Sequence, residues 1–268
     1  MPQRYEDYDR VAVVTGADSG IGKACAVALA EAGFDIGFTW YGDPDGADRT
    51  AAEVRATGRR CATAELDLTR LPDAAAVIDE LAEQLGGLGV LVNNAGTGLA
   101  TPFVEVSWQQ WREVLAVDLD GPFLCAQRAA RRMRAAGRGG RIISITSVHE
   151  HAPRVGSSAY CAAKGGLGLL TKVMAQELAA DGITVNAVAP GEIATPMTGQ
   201  EDVDPFTRAR PGVPVGRPGD AREVAAVVAL LASPAAAYVT GASWPVDGGM
   251  LLMGPQAAAL PDDGWRDI

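Results

Sequence analysis

Short runs of β-branched residues alternate with longer alanine-rich stretches along nearly the whole chain, and this alternation limits the fold more than any other feature. Strand candidates are residues 11–15, 35–40, 61–66, 90–93, 141–146, 184–189 and 243–246. Helix candidates lie at 21–32, 46–57, 71–85, 108–136, 159–180 and 220–232. Leu167, Leu170, Met174 and Leu178 recur at helical spacing, as do Val224, Val227, Val228 and Leu231. Strands such as Val11-Ala12-Val13-Val14 are apolar throughout, as a parallel sheet covered on both faces requires. Repeated βα units with right-handed crossovers give an α/β doubly wound sheet of seven parallel strands, a three-layer sandwich. A ligand then belongs at the carboxyl ends of the strands.

The chain has 268 residues, of which 48% are hydrophobic and 21% charged. That is the length of one large domain, with ample apolar mass for a core and too much for disorder. A net charge of −10 argues against a nucleic-acid partner. The one basic stripe, 128–141, reads as the solvated end of a helix. The longest charge-free stretch, 224–246, could span a bilayer by length, but Pro234, Gly241 and Pro245 break it, so no membrane role is expected. The first ten residues are charged and lack the apolar core of a signal peptide, which predicts a cytoplasmic protein. Cys25, Cys61, Cys125 and Cys161 form no CxxC pair and read as buried thiols, and with only His149 and His151 beside them no metal site is expected.

Two segments lack a periodic pattern. Residues 195–219, rich in Pro and Gly, read as a lid, and 254–268 as an irregular tail packed on the surface or on a neighbouring subunit.

Three motifs carry chemistry. Thr15-Gly16-Ala17-Asp18-Ser19-Gly20-Ile21-Gly22 joins the first strand to the first helix, where glycines let the backbone turn tightly and approach a pyrophosphate at the helix N-terminus. Asn93-Asn94-Ala95-Gly96 ends the fourth strand, in residues that also suit an ordinary turn. Ser147 falls just past the fifth strand, and Tyr160 and Lys164 stand four residues apart, on one face of a helix. A tyrosine serves as general acid or base only if its ordinary pKa of about 10 is drawn toward neutrality, which a nearby ammonium does.

With these motifs in this order, the chain resembles the short-chain dehydrogenase/reductase family from about residue 11 to 252. Pro190-Gly191 followed by Thr195, and Asp247-Gly248-Gly249, extend the match. The resemblance implies a single-domain Rossmann oxidoreductase, homotetrameric and dependent on NAD or NADP, acting on a small carbonyl compound or secondary alcohol. Its carrier-protein reductase and small sugar and diketone reductase branches are the most similar. It implies that Ser147 polarises the substrate oxygen, Tyr160 passes the proton, and Lys164 holds the nicotinamide ribose. For the cofactor it implies Gly16, Ser19, Gly20, Ile21 and Gly22 at the phosphates and Trp40 at the end of the second strand. Asp67 would meet the adenine amino group, Asn93 the adenosine ribose side, and Ile193 and Thr195 the carboxamide, with Leu68, Ala95, Gly96 and Pro190 also at the cofactor.

One position departs from the family. Where relatives keep an Asn that fixes a water in the proton relay, this chain reads Val117-Asp118-Leu119-Asp120-Gly121. Asp118 either joins the relay or is a helix-kink residue bonded to backbone. Neither Ser19 nor Tyr41 is the basic residue of NADP-preferring relatives, and Trp40 replaces the Asp of NAD-preferring ones. Asp18, Asp43, Asp45 and Asp48 would repel a 2′-phosphate, which favours NAD. Substrate contacts are expected from Ser147, Tyr160, His149 and Glu192, with residues 148–153, Leu99 and lid residues 197–212 around them; His149 and His151 fit a solvent-facing loop equally well. Gly165-Gly166 inside a helix predicts close approach of another helix. The alternatives are a 3-oxoacyl thioester reductase and, from a different class, a non-catalytic dinucleotide sensor. The latter is disfavoured by the intact Ser147, Tyr160 and Lys164.

Overall fold

The computed structural model describes residues 8–254. Seven strands form one parallel sheet in the order β3-β2-β1-β4-β5-β6-β7. They are β1 (Val11–Val14), β2 (Asp35–Trp40), β3 (Cys61–Glu65), β4 (Val90–Asn93), β5 (Gly140–Ile145), β6 (Ile183–Pro190) and β7 (Ser243–Val246). All seven expected strands are present, displaced by at most a residue at their ends. Helices α1 (Gly20–Glu31), α2 (Pro44–Ala56) and α7 (Ala221–Ala232) supply one face; α3 (Val77–Leu85), α5 (Gly121–Ala136) and α6 (Ser158–Leu178) supply the other. Strand alternation divides the core between them. Ala12, Val14, Val90 and Val92 join Leu29, Val224 and Val228, whereas Val13 and Leu91 join Ile78, Leu81 and Ala129. The strand order reverses between β1 and β4, which opens a crevice at their carboxyl ends.

The stretch 108–136, expected as one helix, is three segments. α4 (Trp108–Leu115) starts on a capping box of Ser107 and Gln110, the turn Ala116–Asp120 is π-helical, and α5 follows. Pro122 explains the break: it has no N–H to offer the carbonyl four residues back, and its ring crowds that carbonyl. The stretch 71–85 likewise opens as a 3₁₀ turn, Asp73–Ala76, before α3 begins.

The basic stripe 128–141 is a solvated helix end only as far as Gly137, with Arg131, Arg134, Ala135 and Ala136 exposed, and then runs on into β5. α5 stops at Gly137, in the left-handed conformation. Arg128 and Arg132 pair with Asp79, and Arg134 pairs with Asp181. Arg141 lies in β5, only 1% exposed, with its guanidinium 4.5 Å from the Tyr8 ring centroid. All four cysteines are free. Cys25 and Cys125 are buried and their thiols pushed up to about 12 by burial, but Cys61, on the edge strand, and Cys161 are only half-buried.

Residues 195–219 contain one short 3₁₀ turn, Pro196–Thr198, and are otherwise irregular, as expected. Of the tail, 255–268 lies outside the described residues. Gly166 does meet a neighbour closely: a Cβ there would lie 3.3 Å from Leu119 in the π-helical turn, whereas Gly165 faces open space.

Candidate active site

At the reversal of strand order, the loops after β1 and β4 are stitched together by two residues the motif reading did not single out. Thr15 Oγ1 accepts from the N–H groups of Asn94 and Ala95, both at 3.0 Å. The Asn94 side-chain amide donates to the carbonyls of Thr15 (2.9 Å) and Gly16 (2.8 Å). Threonine before a glycine loop and a second Asn after Asn93 were the available signals. Gly16 and Gly20 have φ of +64° and +53°, which side chains rarely adopt. A Cβ on Gly22 would overlap the Gly16 carbonyl and the Asn94 amide. Ser19 caps α1 without spending its side chain on the helix, so the first N–H groups of α1 stay open to an anion. This glycine-lined cradle fits a dinucleotide pyrophosphate.

The other residues assigned to the cofactor fall into two groups. Ile21, Trp40, Pro190, Ile193 and Thr195 sit at or just beyond the crevice ends of α1, β2 and β6, with Thr195 packed over Gly20. Asp67 accepts from the N–H (2.9 Å) and hydroxyl (2.6 Å) of Thr69, and these bonds hold its carboxyl below the usual range. Leu68 is buried against Gly121. The Asn93 side chain, by contrast, turns inward: Nδ2 donates to the Pro122 carbonyl at 3.0 Å, and Oδ1 is buried without a partner. It braces β4 against α5 beneath the crevice.

The residues expected to react lie around the end of β5. Ser147 follows β5 and is buried, with its Oγ accepting from the His149 N–H at 3.1 Å. Tyr160 and Lys164 lie a turn apart on α6, with Lys164 Nζ 5.5 Å from the Tyr160 ring centroid. Lys164 donates to the Ile145 carbonyl at 3.2 Å and pairs with Asp118 at 3.0 Å. Asp118 is fully buried in the π-helical turn and also accepts from the Thr97 N–H at 3.2 and 3.3 Å. It is thus both bonded to backbone and in direct contact with the lysine. Burial holds the Asp118 carboxyl above its ordinary range against the pull of Lys164. Burial works to lower Lys164, but the Asp118 carboxylate and then Tyr160 outweigh it and leave the ammonium above its usual value. Gly96 makes the pair possible, since a Cβ there would stand 2.8 Å from Asp118 Oδ1 and 3.5 Å from Lys164 Nζ.

Of the substrate candidates, His149 lies against Tyr160, edge to face, with ring centroids 6.3 Å apart. Glu192 is already engaged. It accepts from Gln200 (2.9 Å) and Arg210 (2.6 Å), so that it fastens lid residues to the loop after β6; burial raises its carboxyl, and these bonds bring it below the usual range. His151 bonds Ser243 and Glu150. No group of three or more His, Cys, Asp or Glu among the described residues is placed to hold a metal ion. No helix of the described residues is long and apolar enough to cross a membrane.

Comparison with known proteins places this geometry among oxidoreductases. A family model described as enoyl-(acyl carrier protein) reductase matches residues 16–251. The uncharacterized oxidoreductase YohF of Escherichia coli K12 is 52% identical over 247 residues, 92% of this chain and 98% of that protein. The crystal structure of acetoin dehydrogenase YohF from Salmonella typhimurium is 53% identical, with a TM-score of 0.87 over 92% of this chain and 97% of that one. A putative 2-deoxy-D-gluconate 3-dehydrogenase from Agrobacterium tumefaciens with bound NADP is 34% identical, with a TM-score of 0.81 over 93% and 99% of the two chains.

Proposed function

Because the chain belongs to the short-chain dehydrogenase/reductase family and is an NAD(P)-dependent oxidoreductase, we propose that it interconverts a small hydroxyketone with its vicinal diol or diketone, Tyr160 moving the proton. The observation that supports the chemistry is the buried Lys164 ammonium 5.5 Å from the Tyr160 ring centroid, with Ser147 just past β5 and bonded to the N–H of His149, whose ring lies against Tyr160. The substrate class is supported by the name of the Salmonella relative, since acetoin is a hydroxyketone.

The dinucleotide, when bound, accepts or supplies the hydride at its nicotinamide. In alcohol oxidation the substrate hydroxyl gives its proton to Tyr160 Oη as the carbinol hydrogen leaves with its electron pair. Ser147 has one lone pair occupied by the His149 N–H, which leaves its own hydrogen for the substrate oxygen. Lys164 keeps positive charge beside the Tyr160 ring and favours its anion. The glycine cradle from Gly16 to Gly22 and Thr195 above it would hold the pyrophosphate.

NAD is the preferred form of the cofactor. Asp18 lies at the cradle mouth, where burial holds its carboxyl above the ordinary range and the Tyr41 N–H partly offsets this. The nearest cations are already paired, Lys23 with Glu53 at 2.7 Å and Arg49 with Asp43 at 3.4 Å. The enzyme is a cytoplasmic homotetramer in this proposal, supported by its free thiols and by the exposed apolar side chains Phe123 on α5 and Leu169 and Val173 on α6.

The test follows reduced-cofactor absorbance with acetoin, 2,3-butanediol and diacetyl for wild type and Tyr160→Phe. Turnover that disappears in the variant while cofactor still binds is expected; wild-type turnover in the variant overturns the assignment.

A further inference from the structure

His149 is fixed in one tautomer by the turn it occupies. Its Nδ1 lies 3.0 Å from the Ala152 carbonyl oxygen. A carbonyl only accepts, so Nδ1 carries the proton, and the neutral ring keeps a bare lone pair on Nε2. Among the described residues Nε2 has no partner, and it is not sealed from solvent. The half-buried ring stands edge to face with Tyr160 at 6.3 Å and 73°. The backbone N–H of the same residue donates to Ser147 Oγ at 3.1 Å, which places His149 in the turn beside the serine expected to meet the reacting oxygen.

We propose that His149 Nε2 is a specificity acceptor for a second hydroxyl, on the carbon next to the reacting one. The inference rests on the oxidoreductase reading above and narrows its substrate to molecules with a free vicinal hydroxyl. Such a hydroxyl donates to Nε2 while the reacting oxygen sits between Ser147 and Tyr160. A diketone presents a second oxygen that can only accept, and two acceptors facing each other repel. Hydroxyketone and vicinal diol are therefore the matched pair of substrates, and a monoalcohol leaves Nε2 unanswered. A site built to hydrogen-bond a substrate hydroxyl discriminates strongly against the analogue that lacks it.

The experiment compares kcat/KM for 2,3-butanediol against 2-butanol in oxidation, and for acetoin against diacetyl in reduction. Wild type is set beside His149→Phe, which removes the acceptor, and His149→Gln, whose amide oxygen restores one. Both variants keep the backbone N–H that holds Ser147. Both ratios should favour the hydroxyl-bearing substrate by tenfold or more in wild type. They should collapse toward one in His149→Phe and recover in part in His149→Gln. Equal ratios in wild type and His149→Phe overturn the proposal, as does a parallel fall for all four substrates, which marks a purely structural role. If wild type turns over 2-butanol but not the diol, the acceptor assignment alone is overturned. If it turns over none of the four, the substrate reading falls with it.

Discussion

The carboxylate of Asp118 touches the ammonium of Lys164 at 3.0 Å, and both side chains are almost completely removed from water. Where the resemblance implies a water-fixing Asn, this chain places a direct counter-ion. Its negative charge supports the ammonium but disfavours a second anion at Tyr160. Asp118 is the largest offset to the burial that lowers Lys164, so in Asp118→Asn the ammonium relies on Tyr160 and the Ile145 carbonyl to stay charged, and with it charged the relief of Tyr160 from repulsion dominates. Asp118→Asn should retain substantial activity and move the acid limb of the pH–rate profile for alcohol oxidation to lower pH. Asp118→Ala should lose about one to two orders of magnitude, the scale of a damaged proton-transfer step. Three coincident profiles would leave Asp118 with no part in the mechanism.

Gly96→Ala should act on the same pair from the other side. The new Cβ would stand 2.8 Å from Asp118 Oδ1, closer than a methyl tolerates. Either the carboxylate or the loop after β4 moves, at a cost of about 1–3 kcal/mol. Activity should fall at least tenfold in a protein whose circular dichroism is unchanged. Full activity would show that the pair has slack.

For the cofactor, NADH should bind more tightly than NADPH, read by fluorescence titration without turnover. Asp18→Ser should narrow the gap, because the half-buried carboxylate near the Tyr41 N–H is the charge best placed to repel a 2′-phosphate. A tenfold preference of wild type for NADPH would mean that Lys23 or Arg49 leaves its present partner to bind the phosphate.

Acid should weaken the contact between α3 and α5. Burial raises the Asp79 carboxyl, but bonds from Arg132 and then Arg128 more than offset this and set it below the ordinary range. A carboxyl lowered by folding contributes stability above its unfolded pKa of about 3.9, and that contribution fades as pH falls toward the folded value. Asp79→Asn should therefore lower Tm at pH 7, by the equivalent of about 1 kcal/mol after allowing for partial exposure. The difference from wild type should shrink as pH drops below 4. A gap that stays constant from pH 7 to pH 3 would show that ionisation of Asp79 is immaterial.

The order of elements was legible because it is a local property. Strand runs such as Val11–Val14 and helical spacing such as Val224, Val228 and Leu231 reflect which face of each element meets the core. The glycine loop was legible for the same reason, since Gly16 and Gly20 announce a conformation that other residues avoid. Pro122 is a local signal too, and the π-helical turn before it, where the sequence predicts continuous helix over 108–136, is what carries Asp118.

Contacts between side chains far apart in the chain belong to a different level. Asp118 reaches Lys164 only because Gly96, from a third segment, leaves room for it. Glu192, a substrate candidate, accepts from Arg210 and Gln200 at Oε1, while Asn93, a cofactor candidate, donates from Nδ2 to the Pro122 carbonyl. Arg141, following Arg128, Arg132, Arg134 and Arg138, which pair with acidic residues, is drawn inside beneath Tyr8 because β5 begins one residue before it. Residue types and their periods thus determined which elements form and which motifs lie at the strand ends, because propensity and turn chemistry act over a few neighbours. Which polar groups spend their hydrogen bonds on each other, and which stay free for a ligand, was decided only when the sheet brought β1, β4, β5 and β6 side by side.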